Sequence, residues 1–136
     1  MKIVLDEGAK MPTRAHPTDA GLDLYARETQ IVSARESATF DTGVHIELPP
    51  NTTGFVKSKS GLNRKFGITS DGTIDVGYTG SICVTLRNHS GYDYTVNKGD
   101  KISQLVIVPI LTPELEVVDS LEETERGNGG FGSTGR

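Results

Sequence analysis

The chain has 136 residues and a formal net charge of −4, because 18 acidic residues outnumber 14 lysines and arginines. This length is typical of one domain, and an acidic balance without a long basic run argues against DNA or RNA as a partner. No apolar run approaches the roughly 20 residues of a membrane span, and the single cysteine, Cys83, fits a reducing compartment. We therefore expect a cytoplasmic protein that binds no nucleic acid and no membrane, although a small phosphorylated ligand is still possible.

Strand signals dominate the first half of the chain. Short apolar or β-branched runs predict strands over residues 3–5, 22–25, 36–40, 44–48 and 54–57. Pro49 and Pro50 interrupt the sheet, because proline cannot donate to a ladder. One short helix is predicted over residues 60–66, with Ser60 as its N-cap.

The second half continues in the same way. Strands are predicted over residues 82–86, 92–96, 102–110 and 115–118, with a turn at residues 98–100. Many short strands separated by frequent turns predict an all-β sandwich or barrel with at most one short helix. We expect a single domain over residues 1–125, followed by a glycine-rich tail over residues 126–136.

Residues 72–80 place a carboxylate and a phenol close together between glycines. Thr73 and Ile74 favour an extended backbone leading into Asp75, and the glycines that follow favour a turn. The segment therefore predicts a hairpin that presents Asp75 at the mouth of a pocket.

Three other segments carry polar residues without an obvious packing reason. Residues 19–26 hold Asp23 inside an apolar strand, and residues 57–62 combine two lysines and two serines ahead of the predicted helix. Residues 99–105 place Gln104 in a hydrophobic strand, where a buried amide needs a partner. Considered alone, a solvated strand edge explains the first of these segments about as well and a solvated loop the second, whereas Gln104 is expected to meet a backbone group or a ligand.

The tail crowds five glycines around one aromatic ring, two hydroxyls and Arg126. Glycine loses the most backbone entropy on ordering, so we expect the tail to be mobile when no ligand is bound. Composition alone favours a disordered terminus. The same residues also fit a lid over a ligand that has phosphates and a ring.

In chain order, these five segments resemble the five motifs of the trimeric deoxyuridine triphosphate nucleotidohydrolase (dUTPase) family. The resemblance covers nearly the whole chain and is most specific in residues 72–88 and 126–135. It implies a jelly-roll or β-clip barrel that hydrolyses dUTP to dUMP and pyrophosphate by water attack on the α-phosphorus, with Mg²⁺. This reaction limits uracil incorporation into DNA and supplies dUMP for thymidylate synthesis. The resemblance also implies a homotrimer, in which three chains build each of three sites and the tail reaches a neighbour.

The resemblance also implies a role for each matching position. Asp75 matches the acid that orients and deprotonates the attacking water, and Tyr78 matches the ring packed under deoxyribose. Asp23 matches an acid that meets magnesium through its water shell. The remaining positions match binding residues: Gly72, Thr73 and Ile74 for uracil; Lys59, Ser60 and Gly61 for phosphates; Gln104 for the α-phosphate; and Arg126, Phe131, Gly132, Ser133 and Thr134 for the lid.

Three positions depart from the family pattern. Lys59 stands where arginine is usual, which exchanges a bidentate phosphate fork for a point charge. Ser81 replaces a common glutamate and Asn63 a usual alanine, and we expect neither change to abolish activity. The histidines, His16, His45 and His89, are widely spaced and interpreted as structural or surface residues. A metal would then be held mainly by substrate phosphates and water.

Two alternatives remain open at this point. A dCTP deaminase shares the same β-rich fold, but a phenylalanine-containing tail argues against it. A regulatory protein could bind the nucleotide without hydrolysing it, and the complete set of Asp75, Tyr78, Gln104 and Arg126 argues against that interpretation. A second, protein-binding role alongside catalysis is compatible with the sequence.

Overall fold

The computed structural model describes residues 1–135. Within that range the chain forms eleven strands and one short helix, which confirms the expected all-β class. No helix in this range is long and apolar enough to cross a bilayer. The elements are β1 (Lys2–Leu5), β2 (Gly21–Tyr25), β3 (Gln30–Val32), β4 (Ser37–Asp41), β5 (Val44–Glu47), β6 (Thr52–Lys57), α1 (Ser60–Phe66), β7 (Ile68–Thr69), β8 (Asp71–Ile74), β9 (Cys83–Asn88), β10 (Tyr94–Val96) and β11 (Lys101–Pro109).

The strands form four antiparallel sheets. The largest has the order β2-β11-β6-β8, the next β4-β9-β7, and the pairs β1-β5 and β3-β10 complete the set. Strand β11 lies inside the largest sheet, which explains why its sequence is apolar at nearly every position after Gln104. The ladders are thus separate sheets around a shared core, and no continuous closed ladder joins them within residues 1–135.

One hydrophobic cluster fills the space between these sheets. It includes Leu24 of β2, Val84 and Leu86 of β9, and Leu105 of β11, all at most 1% exposed. Strand β9 alternates exposed and buried residues along its whole length, as expected for a strand with one face on a core. Each such fully buried aliphatic side chain stabilises the fold by about 1.5–3 kcal/mol relative to exposure.

The helix spans the predicted residues, but its cap lies one residue earlier than predicted. The N-cap is Lys59 rather than Ser60, and no side chain caps the first turn. The helix ends at Gly67, whose φ of 66° lies in the left-handed region and whose N–H bonds the carbonyls of Leu62 and Asn63. Glycine adopts this conformation without the steric cost of a Cβ, so it terminates the helix sharply.

Three other predictions about the strands need correction. Strands β3 and β7 were not predicted, because two or three residues carry too little periodicity. The predicted strand at 115–118 is absent, and Leu115 and Val117 are 95% and 99% exposed. Its sequence does alternate, but no strand among residues 1–135 pairs with it. The predicted hairpin at 72–80 is also wrong as a ladder, because β8 pairs with β6 while β9 belongs to another sheet.

The buried side chain of Asn88 provides a test of this architecture. Its amide nitrogen donates to the carbonyls of Val32 and Tyr92 at 3.0 and 2.7 Å, and its oxygen accepts from Ser90. Asn88→Ala would remove these bonds in a site that is 1% exposed, and only the Ser90 hydroxyl would still donate to the Tyr92 carbonyl, at 3.1 Å. We expect the free energy of unfolding to fall by about 2–4 kcal/mol in urea denaturation at one fixed protein concentration.

The matched control is Asn97→Ala, since the side chain of Asn97 is exposed in the turn after β10. We expect it to change stability by no more than about 0.5 kcal/mol. Equal destabilisation by the two substitutions would contradict a special role for the Asn88 amide.

Candidate functional site

Most of the predicted site residues fall into two cavities and one terminal segment, whereas Ser60, Gly61 and Gly72 line neither cavity. The first cavity, of about 270 Å³, is called here the β2–β11 cavity; the second, of about 240 Å³, is called the β8 cavity. The two share no lining residue. The β2–β11 cavity is lined by Ala15, Asp19, Ala20, Gly21, Asp23, Lys59 and Gln104, and the β8 cavity by Thr73, Ile74, Asp75, Tyr78, Ile82 and Cys83.

Asp23 is the buried acid of the β2–β11 cavity, with 4% of the residue exposed. One carboxylate oxygen accepts a hydrogen bond from the Lys59 ammonium, and the other lies 2.8 Å from the Lys101 ammonium. Burial alone would raise the pKa of this carboxyl group, but the hydrogen bonds and charges of Lys101 and Lys59 outweigh it and lower the pKa. Asp23 is therefore a charged group held by two cations.

Gln104 lies directly opposite Asp23 in the β2–β11 ladder. Its amide nitrogen donates to the Ser58 carbonyl at 3.0 Å, so the interruption of the hydrophobic strand has a backbone partner, as expected. A Cβ on Gly21 would lie 2.1 Å from the Gln104 side-chain oxygen and 3.1 Å from its Cβ. The absence of a side chain at Gly21 therefore leaves room for the Gln104 amide beside the cavity.

The predicted phosphate-binding residues separate in the structure. Lys59 lines the β2–β11 cavity, with its ammonium already bound to Asp23. Ser60 and Gly61 lie on the exposed first turn of α1 and do not line the cavity. The sequence pointed to Lys59 but not to Lys101. The only indication of Lys101 was its position three residues before Gln104 in the same strand.

The β8 cavity brings the acid and the phenol together. The Tyr78 N–H donates to the Asp75 carbonyl at 3.1 Å, closing a turn, and both side chains are exposed. The Tyr78 hydroxyl donates to the Ser81 carbonyl at 3.0 Å. A Cβ on Gly80 would lie 2.5 Å from that hydroxyl oxygen, so the ring lies directly against the Gly80 backbone. The loop thereby presents one face of the Tyr78 ring beside Asp75.

Strand β8 forms the edge of its sheet within the described range. It pairs with β6 on one side, with Gly72 opposite Val56 and Ile74 opposite Gly54. Alternate N–H and C=O groups of an edge strand point away from the sheet and can meet a ligand. The outward backbone groups of Gly72 and Thr73 thus have no strand partner in the described range, whereas Ile74 is buried and its carbonyl accepts from the Thr53 hydroxyl at 2.9 Å.

Cys83 also lines the β8 cavity, which the sequence did not reveal. Burial raises the pKa of its thiol, and the nearby Asp41 carboxylate raises it further. A raised pKa disfavours the thiolate, which is the nucleophilic form. Cys83 therefore lacks the surroundings of a reactive cysteine.

Residues 126–135, the described part of the tail, line neither cavity. The Arg126 Nε donates to the Gly129 carbonyl at 2.9 Å, the described tail bonds are local turns, and the Phe131 ring is fully exposed. The structure therefore brings Asp23, Lys59 and Gln104 together, and Thr73, Ile74, Asp75 and Tyr78 together. It does not join the two groups or add the lid.

Asp23 gives the β2–β11 cavity a measurable pH dependence. Asp23→Asn should lower the free energy of unfolding at pH 7 by about 2 kcal/mol, because charged hydrogen bonds are weakened. Since folding lowers the Asp23 pKa, this contribution is present above the unfolded-state value of about 3.9 and is lost as pH falls through the folded-state value. Urea unfolding at several pH values should show the difference between variant and wild type shrinking toward pH 3.

Asp71→Asn is the matched control, because Asp71 pairs with Lys57 at 3.2 Å with both side chains mostly exposed. We expect a change within about 0.5 kcal/mol at every pH. A stability difference for Asp23→Asn that stays constant down to pH 3 would show that the carboxylate charge is not its source.

Comparison with known proteins places this geometry in a family. Residues 7–135 match the sequence model of dUTPase. The deoxyuridine 5'-triphosphate nucleotidohydrolase of Clostridium tetani is 46% identical over 136 residues, covering 98% of this chain and 94% of that protein. The protein of the same name from Kluyveromyces lactis is 44% identical over 130 residues, covering 94% and 88% respectively.

Solved structures agree with these sequence relatives. The dUTPase of Staphylococcus bacteriophage 80alpha, in complex with dUPNHPP, matches with a TM-score of 0.94 and 34% identity, covering 99% of this chain and 98% of its own. A mutant dUTPase from phage phi11 of S. aureus, described with a structural Mg(II) ion, matches with a TM-score of 0.84 and 33% identity over 90% of this chain and 98% of its own. These relatives do not favour the deaminase alternative. The chain belongs to the dUTPase family.

Proposed function

We propose that this enzyme, a dUTP diphosphatase, uses Asp75 as the base that activates water for attack on the α-phosphorus of dUTP, giving dUMP and pyrophosphate. The observation that carries this assignment is the β8 cavity, where Asp75 lies beside Tyr78 at the end of an edge strand. An exposed carboxylate is ionised at neutral pH and can orient water and accept its proton. The product dUMP would supply thymidylate synthesis, and removal of dUTP would limit uracil in DNA.

The backbone of Gly72, Thr73 and Ile74 would read the uracil edge. The one-sided pairing of β8 supports this role, since its outward N–H and C=O groups have no strand partner within residues 1–135. Cytosine presents an amino donor where uracil presents O4, and a mispaired buried donor costs several orders of magnitude in kcat/KM. The Tyr78 ring would pack beneath deoxyribose and exclude a 2'-hydroxyl.

The β2–β11 cavity would receive the phosphates. Lys59 and Gln104 line it, Ser60 and Gly61 follow on the first turn of α1, and Lys101 supplies a second ammonium to Asp23. A triphosphate would therefore meet two cations whose charge Asp23 partly neutralises. A lysine binds phosphate as a point charge, so contact would survive the absence of the usual arginine.

Asp23 fits an outer-shell contact with Mg²⁺ and no closer one. Both of its oxygens already accept from ammonium groups, and the described residues contain no cluster of three His, Cys, Asp or Glu side chains that could hold a metal. Magnesium, when bound, would neutralise charge on the triphosphate and on departing pyrophosphate. It would be held mainly by phosphate oxygens and water, with Asp23 bonded to that water.

A homotrimer would join the parts that one chain keeps apart. The two cavities share no described lining residue, and tail residues 126–135 reach neither of them. Residues 110–125 carry large apolar side chains that are almost fully exposed, which is typical of a surface that binds a partner. These side chains are Leu111, Leu115, Val117 and Leu121.

We assign residues 1–125 to the catalytic domain and residues 126–136 to its lid. Arg126, Gly132, Ser133 and Thr134 would bind the β- and γ-phosphates, and Phe131 would stack over uracil. The exposed Phe131 ring supports this role, because an aromatic side chain that packs on nothing is available to a base. Free Cys83 is consistent with a cytoplasmic location, where thiols stay reduced.

The reaction and its base are tested together. Pyrophosphate release measured with dUTP, dTTP, dCTP and UTP, with and without magnesium, should be fast only for dUTP with magnesium. Asp75→Asn should keep dUTP binding while kcat falls by about 10³-fold or more, because the general base is lost. Asp71→Asn, on the same strand, should retain wild-type kcat.

Substantial turnover by Asp75→Asn would remove Asp75 from the role of base. Ammonia release from dCTP would favour the deaminase instead, and tight dUTP binding without pyrophosphate release would favour a regulatory protein.

Shared sites are tested by mixing two inactive proteins. Asp75→Asn lacks the base, and a chain ending at Glu125 lacks the lid, so each homotrimer should be nearly inactive. If base and lid come from different chains, random co-refolding at equal amounts should restore about a quarter of wild-type activity, because a site needs one part from each type. Light scattering should give a trimer for both variants.

Each variant refolded alone is the control. No recovery in mixed trimers would mean that base and lid act within one chain. Wild-type kcat/KM in the truncated protein would instead contradict the lid itself.

A further inference from the structure

A histidine outside both cavities connects the Tyr78 loop to the N-terminal strand. His45 of β5 has its Nδ1 2.8 Å from the Thr79 carbonyl oxygen. Its Nε2 lies 3.2 Å from both carboxylate oxygens of Asp6, just beyond β1. The ring therefore spans the space between the loop and the β1–β5 sheet, beside a cavity of about 560 Å³ that contains none of the predicted site residues.

Both partners of this ring are acceptors. A backbone carbonyl has no proton to donate, and an ionised carboxylate accepts only. A neutral imidazole has one N–H and satisfies only one of them. The doubly protonated imidazolium donates to both, so this geometry selects the cation.

The surroundings also favour the cation. The Thr79 carbonyl and the Asp6 carboxylate raise the pKa of His45, and the charge of Asp41 adds to them. Burial opposes this increase in the pKa of His45. Arg27 contacts the same two carboxylates, Asp6 at 3.4 Å and Asp41 at 3.2 Å. The other charged groups on the packed elements are Lys2 and Glu47, paired at 2.9 Å on β1 and β5; Glu7 after β1; and Asp75 at the start of the loop.

The same network fixes the other end of the turn. Asp41 accepts a hydrogen bond from the Ser81 hydroxyl, while Arg27 joins Asp41 to Asp6. Thr79 and Ser81 are thus tied on either side of Gly80, against which the Tyr78 ring packs. Movement at either tie would shift the ring.

We propose that His45, as an imidazolium, is a positioning residue that holds the Tyr78 loop in its substrate-binding arrangement. This inference rests on the proposed function of the β8 cavity. Because folding raises the His45 pKa, the double contact is complete below the unfolded-state value of about 6.5 and is lost as pH rises through the folded-state value. The loop then loses one of its two ties, and dUTP binds less tightly.

The protonation state is measured first, without any activity assay. Long-range ¹H–¹⁵N NMR of the full chain, with signals assigned by His45→Gln, should show both His45 nitrogens protonated to a higher pH than in urea-unfolded chain. A single protonated nitrogen at pH 6 would overturn the proposal.

Steady-state kinetics with dUTP from pH 6 to pH 9 then tests the positioning role. His45→Gln, which lacks the charge, should raise KM about fivefold at pH 6 with kcat within about twofold, and the difference from wild type should shrink toward pH 9. Asp6→Asn keeps the histidine but removes the carboxylate, and should flatten the pH dependence of KM in the same way. His89→Gln is the control. The His89 ring bonds the Thr69 hydroxyl and neither residue lines the β8 cavity, so this variant should leave KM unchanged.

The outcomes separate the two proposals. A KM ratio between His45→Gln and wild type that is the same at every pH would reject the imidazolium role. A wild-type chain that releases no pyrophosphate from dUTP would reject the proposed function, while the NMR titration would still report on the His45 geometry.

Discussion

Strand β11 hydrogen-bonds along both edges, and the position of every candidate group in the main sheet follows from that. Its register with β2 places Gln104 opposite Asp23, and its register with β6 places Gln104 opposite Lys57. The β6–β8 register then fixes where β8 ends and Asp75 begins. The register of an antiparallel ladder decides which face of the sheet each side chain occupies, because a one-residue slip would turn every side chain to the opposite face. The chemistry is thus positioned by backbone pairing more than by direct contacts among the functional side chains.

The same sheet buries a charge, which is costly unless compensated. Asp23 stays ionised because Lys59 and Lys101 approach it from opposite oxygens. The three groups together carry one net positive charge, which suits a polyanionic ligand better than two free lysines that would repel each other. Under the proposed function, this neutralisation would set how much charge a phosphate meets in the cavity.

Sequence reasoning recovered the parts of the fold that are encoded locally. Alternation and apolar runs predicted eight of the strands at approximately their observed places. Burial of one face produces an alternation of polar and apolar residues within the strand's own sequence. The segment at 115–118 carries the same pattern but has no ladder partner among residues 1–135. Pairing is a long-range property, which also explains why the segment at 72–80 read as a hairpin although β8 pairs with β6.

The candidate site divides in the same way. Asp75, Tyr78 and Gln104 were identifiable because their residue types stand out within short segments. Lys101, Cys83 and His45 were not, because their roles depend on neighbours distant in sequence: Asp23 for Lys101, and Asp6 and Thr79 for His45. The sequence around a lysine at the start of a strand does not indicate which carboxylate the lysine will contact.

Gly21 and Gly80 differ from the other turn glycines in what surrounds them. Neither needs a left-handed backbone, and the space that a Cβ would fill is occupied by the side chain of a candidate site residue, Gln104 or Tyr78. Mutational intolerance at these two positions would therefore record the geometry of substrate recognition, whereas intolerance at Gly67 would record the fold. A variant at Gly21 or Gly80 could fold normally and still be inactive. Such variants would be retained in a screen for expression or thermal stability and lost in a screen for nucleotide hydrolysis.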